Sequence, residues 1–297
     1  MSADPIRRRI LYIVPHAFDM PGTGAMHRSK SLGAALAACG DVEVLVTEAL
    51  QAQPATPGAF ARKLRELINR AAPYRAVPGQ VAAVAGKIRG EKFDVVVVRY
   101  LQAWVACGMP CAPGLVLDFD DDPLEGYDSA GGVVGGNLIR RLRRSLIRRV
   151  IARQVGVARR RALQIWVANP EHERCGPQYR LVANAAPFVP ERADLVPRPL
   201  RFAFFADMRY RPNIDALRWY LREVHPYLVA AAPHAELVVC GHFAPGGAEN
   251  PEWQRPGLSI AGFVPDISEV YHSCAASIAP IISGSGSSVK VMESLAA

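Results

Sequence analysis

The stretch from Pro280 to Leu295, PIISGSGSSVKVMESL, holds the densest set of residues able to do binding chemistry. A β-type run enters a Ser/Gly turn (Ser283, Gly284, Ser285, Gly286), and the turn opens directly into a helical pattern. At such a junction the first backbone N–H groups, those of Ser287, Ser288 and Val289, have no carbonyl one turn earlier to bond. With the helix dipole behind them they suit a phosphate, and Gly284 and Gly286 clear its approach. Lys290 and Glu293 lie three apart and share a helix face, where the lysine can meet an anion and the carboxylate can bind a diol. An ordinary turn followed by an amphipathic helix fits the same letters. A second set is Asp118-Phe119-Asp120-Asp121-Asp122, whose carboxylates invite a hard cation. It ends an apolar run, so Asp120 or Asp121 can instead contact a substrate hydroxyl, as a base, or simply hydrate a loop. His16, just after the first apolar run, is a further catalytic candidate. His27, His172 and His242 read as structural or solvent-facing. The turn Gly22-x-Gly24-x-x-His27 lacks the third glycine of a dinucleotide fingerprint, and neither a nucleophile elbow nor a Walker lysine is present.

These residues have to be held by something, and the apolar pattern shows what. Arg9 to Val14 reads as a buried strand, Ala25 to Cys39 as a helix stopped by Gly40, and Val42 to Thr47 as the next strand. Strand, glycine turn, helix, strand is the βαβ unit of a parallel sheet. A helix at Ala61 to Arg70 and strands at Phe93 to Val98, Gly114 to Phe119, Gln164 to Ala168 and Arg180 to Val182 continue the first half. Val189 to Pro199, with three prolines, reads as a linker. The second half repeats the alternation. Strands at Leu200 to Ala206, Ala235 to Cys240, Ser259 to Ala261 and Ser277 to Ile281 are interleaved with helices at Asn213 to Ala230, Asp266 to Ser273 and from Ser287 onward. The expected fold class is α/β, two tandem doubly wound domains.

Half of the 297 residues are hydrophobic and 21% are charged, which excludes a disordered or fibrous chain. No apolar run approaches the ~20 residues of a membrane span. The Arg7-Arg8-Arg9 start precedes too short an apolar run, with no small-residue cleavage site, so secretion is not expected. The six cysteines form no CxxC pair, and reduced core thiols in a cytoplasmic protein fit them. The net charge of +8 is concentrated: ten arginines fall between Arg140 and Arg161 with no acid or lysine, so the rest of the chain carries −2. Ile139, Leu142, Leu146, Val150 and Ile151 occupy one side of the helix this segment would form, and the arginines the others. A solvated face is one reading. An anionic membrane surface met through Arg140 to Arg161 is the other. Nucleic acid is not expected, since the segment has no aromatics and no reader motif.

The order Val238-Val239-Cys240-Gly241, then Gly262-Phe263-Val264-x-Asp266 with Tyr271 and Ala275-Ala276, then Pro280…Gly284-x-Gly286…Lys290…Glu293-x-Leu295-Ala296 resembles the donor domain of GT-B glycosyltransferases. More narrowly it is similar to the family-four (group-one) class, in a variant like the sugar transferases of bacterial exopolysaccharide production. The Pro212-Asn213-x-Asp215-Ala216-Leu217 run is similar to that class's domain opening. The resemblance implies two Rossmann-like domains: residues 1–188 on the acceptor side with a basic helix at 138–161, a linker at 189–199, and a donor domain at 200–297. The donor domain would be incomplete by on the order of 60–90 residues, since about four of the usual five or six strands can be counted. It implies a nucleotide diphosphate sugar as donor and a glycan or lipid-linked acceptor, with no cofactor and no metal. The helix-opening amides at Ser287 to Val289 would hold the diphosphate, Glu293 the ribose, and Gly262 to Val264 the base, with Gly241 nearby. Gly22 and Gly24 would face the diphosphate from the N-terminal side, and Arg209 and Arg211 would supply positive charge. Relatives retain anomeric configuration and carry a glutamate eight residues before the ribose glutamate, where this chain has Ser285. The alternative is an inactive remnant that binds a membrane or a partner enzyme.

Overall fold

The computed structural model describes residues 7–17, 24–48, 74–130, 138–186, 189–283 and 288–297, with backbone alone at 24, 25, 130, 139 and 140. The chain forms two compact units, one of residues 1–127 and 134–183, the other of 128–133 and 184–297.

The first part of the chain runs β1 (Arg8–Val14), α1 (Gly24–Cys39), β2 (Gly40–Val46), α2 (Pro78–Gly90), β3 (Val95–Arg99), α3 (Leu101–Ala106), β4 (Leu115–Asp120), α4 (Pro123–Ala130), α5 (Leu138–Arg161), β5 (Gln164–Val167), α6 (Pro170–Glu173) and β6 (Tyr179–Leu181). Its six strands form one parallel sheet in the order β2-β1-β3-β4-β5-β6, with Ile10 opposite Val42 on one side and Val95 on the other. Strand residues alternate between two covered faces, as the pleat requires. Ile10, Tyr12 and Val14 meet Leu32 and Leu36 of α1, while Leu11 and Ile13 join Val84 of α2, Trp104 of α3 and Ile151, Val155 and Ala158 of α5. Helices on both faces explain why the strands read as unbroken apolar runs rather than alternating ones.

The second unit runs β7 (Arg198–Phe205), α7 (Arg211–Glu223), α8 (His225–Ala231), β8 (Glu236–Cys240), β9 (Leu258–Gly262), α9 (Ile267–Ser273), β10 (Cys274–Ser277) and α10 (Val289–Ala296). Its parallel sheet has the order β10-β7-β8-β9. Phe204, Leu237 and Val239 pack on Ala216, Leu217 and Tyr220 of α7; Ala203, Phe205 and Val238 pack on Val270 and Tyr271 of α9 and on Val189. Val189, the first residue of the expected linker, is thus a core residue of this unit.

Several expectations need correction. The single helix read over 213–230 is two, because Pro226 enters at the start of α8 after Val224 leaves helical geometry (φ −120°, ψ −48°). The strand read at Ser277 to Ile281 lies earlier, at β10, and only the Ile278 N–H continues it by bonding the Ala203 carbonyl at 2.8 Å. Of the cysteines, Cys107, Cys240 and Cys274 are buried, but Cys39 and Cys111 are exposed. On α5 the expected apolar side is split: Ile151 is in the core, whereas Leu142, Leu146 and Val150 are exposed. The helix expected at Ala61 to Arg70 lies outside the described residues. Among the described residues no helix is long and apolar enough to cross a membrane.

Candidate functional site

In an open parallel sheet, ligands bind outside the carboxyl ends of the strands where the strand order reverses. In the second unit the order reverses between β7 and β10, and the Ser/Gly turn follows β10. The turn residues Gly284, Ser285, Gly286 and Ser287 lie outside the described residues; Ser283 precedes them and Ser288 stands at the N-cap position of α10 without a side-chain capping bond. The Ser288 hydroxyl is buried and has no hydrogen-bond partner. Val291 N–H already bonds the Ser288 carbonyl at 3.1 Å, so the helix is wound from its first turn.

Lys290 and Glu293 share a face of α10 and turn toward the sheet. The Lys290 ammonium donates to Asn213 Oδ1 of α7 at 2.8 Å and sits 5.1 Å above the Phe204 ring. Burial pushes its pKa down to about 8. Burial raises the Glu293 carboxyl, partly offset by the Tyr271 hydroxyl, which donates to it at 3.5 Å. Tyr271 is fixed by stacking on Phe205 with ring centroids 4.1 Å apart.

The other donor candidates lie at the same edge of this sheet. Gly241 follows β8 at φ +141°, and a Cβ there would fall 1.8 Å from the Ala206 carbonyl oxygen, so the close approach of the chain just past β7 and β8 requires glycine. Gly262 ends β9 at φ +70°, and its carbonyl accepts from Gly241 N–H at 2.7 Å. His242, read as structural or solvent-facing, stacks on Phe263 with ring centroids 4.5 Å apart. Val264 packs partly into the core under α9. Arg209 is held by both oxygens of Asp207 at 2.8 and 2.7 Å, and Arg211 by Asp215 at 2.9 Å. Both guanidiniums are half exposed and therefore have carboxylate partners to leave before meeting a phosphate.

In the first unit the reversal falls between β1 and β3. His16 follows β1 there, half exposed and 2.8 Å from Glu48. Gly24 opens α1, and Gly22 lies outside the described residues. At this edge the sequence reading missed a buried ionic quartet. Asp118, wholly buried, accepts from Arg28 of α1 at 2.7 Å and from Arg99 of β3. Arg99 also donates to Asp120 at 3.0 Å and to the Tyr100 hydroxyl at 2.6 Å, and Arg28 reaches the Val182 carbonyl at 2.7 Å. Its signal was available: Arg99 ends the run VVVV and Asp118 interrupts LVL, both charges in otherwise apolar strands. Tyr100 (φ +69°) and Asp120 (φ +66°) hold left-handed backbone at neighbouring strand ends, a conformation that L-residues keep only when their surroundings fix it.

The structure apportions the acidic run by role. Asp118 and Asp120 are neutralised within the quartet. Asp122 caps α4, accepting from Leu124 and Glu125 N–H at 2.8 and 3.1 Å, while its own N–H donates to His172 Nδ1. His172 is buried and its Nε2 meets Glu125 at 2.9 Å. Asp121 is left with a buried oxygen, Oδ1, that makes no hydrogen bond. Burial and the neighbouring Asp120 push its pKa up to about 6. Of the catalytic candidates, Asp121 is therefore the carboxyl best poised to take a proton. Among the described residues no three or more His, Cys, Asp or Glu side chains are grouped so that they could hold a metal ion.

Residues 199–297 match the sequence model of the family described as Glycosyl transferases group 1. No curated protein matches the chain. Among solved structures, sucrose-phosphate synthase from Thermosynechococcus elongatus superimposes with a TM-score of 0.60 at 16% identity, over 97% of this chain and 79% of that one. A variant of S. aureus TarM, in complex with Fondaparinux, alpha-GlcNAc-glycerol and UDP, gives 0.51 at 8% identity, over 73% of this chain and 43% of its own. WaaG, a glycosyltransferase involved in lipopolysaccharide biosynthesis, gives 0.50 at 12% identity, over 92% of this chain and 75% of its own. Two doubly wound parallel-sheet units with these neighbours are the α/β fold of GT-B proteins, and the second unit carries the sequence pattern of glycosyl transferases group 1.

Proposed function

We propose that the chain is a glycosyltransferase that moves a sugar from a nucleotide diphosphate donor to a glycan or lipid-linked acceptor in cell-surface polysaccharide synthesis. The observation that carries the reading is the Ser/Gly turn between β10 and α10: it follows the strand at which the second sheet reverses, inside the segment matched by the group 1 family. The UDP named for the TarM structure fits the same class of donor. The opening amides of α10 take the diphosphate, Glu293 the ribose diol, and Phe263 with His242 the base edge. Arg209 and Arg211 leave Asp207 and Asp215 to neutralise the phosphates. Fixed amides and guanidiniums stabilise the leaving diphosphate without reorganising at the transition state. In the first unit, Asp121 accepts the proton of the attacking hydroxyl as the glycosidic bond forms and the sugar–phosphate bond breaks. The family resemblance carries retention of configuration, which requires the hydroxyl to attack from the same face of the sugar that the diphosphate leaves. No cofactor or metal is assigned. The protein works at the cytoplasmic face of the inner membrane, to which the arginines of α5 draw it.

Thermal unfolding of the full chain with uridine, guanosine and adenosine diphosphates tests the donor site. One of them should raise the midpoint, since a ligand at ~100 times its Kd stabilises by about 2.7 kcal/mol. Glu293→Gln should reduce the rise. No rise with any of the three would leave an inactive remnant as the better reading. Replacing Arg141, Arg143, Arg149 and Arg153 by Gln should weaken binding to anionic vesicles at low salt; unchanged binding would remove the electrostatic part of the proposal.

A further inference from the structure

Helix α5 packs on the first unit with one face only. Ile151, Val155 and Ala158 are buried and Ile147 packs against the same core. A second aliphatic row runs along the helix at steps of four: Leu138, Leu142, Leu146 and Val150 are 71, 62, 62 and 41% exposed. At 3.6 residues per turn the centres of the two rows lie roughly 150° apart around the axis. The exposed row therefore points away from the core, and extends about 18 Å along the helix.

We infer that this ridge inserts among the acyl chains of an anionic lipid surface while the arginines beside it engage the headgroups. The inference rests on the membrane part of the proposal above and changes its physics from adsorption to insertion. Three features select lipid. Arg141 and Arg143 flank the ridge on either side and Arg149 and Arg153 continue its line; all four are exposed. Long guanidinium arms at such flanks reach up to phosphates while the methyl groups between them lie deeper. A second copy of the chain would bring ten arginines against ten with no acid in the segment to separate them. Nucleic acid would bring phosphates and water onto four exposed aliphatic side chains, and residues 138–161 contain no aromatic side chain to stack on a base.

The experiment is flotation of the full chain with vesicles of neutral phosphatidylcholine and of phosphatidylcholine mixed with phosphatidylglycerol, across a salt series. The wild type should bind the mixed vesicles and stay partly bound near ~1 M salt, where the Debye length is only about 3 Å. Leu142→Ser with Leu146→Ser keeps every charge and should partition at least about tenfold more weakly, with an unchanged circular dichroism spectrum. Leu146→Trp should add a fluorescence component quenched by brominated acyl chains. Equal partitioning of the double serine variant, or no added quenching, overturns insertion while leaving adsorption by the arginines intact. Loss of all vesicle binding in both proteins overturns the inference and the membrane part of the proposal together, but not the donor site, which the diphosphate midpoints report separately. Tight binding of an oligonucleotide without vesicle binding, or a dimer that the serine variant abolishes, overturns it in favour of that partner.

Discussion

The acidic run at β4 shows how residues of one type take different roles. Asp118 meets two guanidiniums and is wholly buried. Removing one partner from such a group leaves uncompensated buried charge at a cost of about 3–5 kcal/mol. Asp118→Ala should lower the free energy of unfolding, measured by urea titration, by that amount, and a loss below about 1 kcal/mol would show that the quartet is not what holds Arg28 and Arg99. Asp121 behaves in the opposite sense. Its carboxyl goes from an ordinary 3.8 to about 6 on folding, so the native state prefers the neutral form. Stability owed to this group is complete below the ordinary value and declines as pH rises through the folded one. The loss approaches about 3 kcal/mol above pH ~6, at 1.36 kcal/mol per unit. Asp121→Asn removes that dependence: the variant should match the wild type near pH 4 and exceed it at pH 7.5 in urea unfolding. Its glycosyl transfer should fall sharply, by about 10²–10⁴-fold if Asp121 is the base. Four clustered carboxylates in the sequence did not reveal this partition, because the arginines that neutralise two of them come from α1 and β3, 90 and 19 residues before Asp118.

At the scale of elements, α5 is the clearest case. Its helical span and its charge were legible, because leucines, isoleucines and arginines at helical spacing with no glycine before Gly156 admit little else. Which apolar row packs was not legible. Both rows satisfy the same period, and only the shape of the sheet face under Ile151 and Val155 selects between them. Ile151→Ala should cost about 2–5 kcal/mol, as deletions in packed cores do, whereas Leu142→Ser should change stability by less than about 0.5 kcal/mol. Thermal melts of the two variants decide it, and a comparable loss in both would mean that the outer row is covered. The split of α7 from α8 has a different cause. Pro226 was visible, but the amphipathic pattern runs on across it, and the pattern outweighed the ring's missing N–H. The shared face of Lys290 and Glu293 on α10 was legible from their spacing; Asn213 as the partner of Lys290 was not, since 77 residues separate them.

For the whole molecule, the charge distribution is the property with the longest reach. Ten arginines in one helix, on a chain whose remainder carries −2, put the positive charge of the molecule on a single element. Such a field orients approach to an anionic surface and loses its reach within a Debye length of about 10 Å at 0.1 M salt. Replacing Arg141, Arg143, Arg149 and Arg153 by Gln takes the net charge from +8 to +4, four fewer positive charges. The variant should elute from cation exchange at clearly lower salt with its melting temperature unchanged; equal elution would mean that these side chains are already neutralised within the protein.

The sequence by itself determined the α/β class, the alternation of strands and helices in two successive series and the concentration of charge in one helix. These follow from periodicity and from backbone freedom, which are local properties. The tertiary structure decided which carboxylates are spent on ion pairs, which one keeps an unbonded oxygen, and which side of the arginine helix faces outward. Those outcomes depend on what stands opposite each side chain, and residues far apart in the chain become neighbours only when the sheets form.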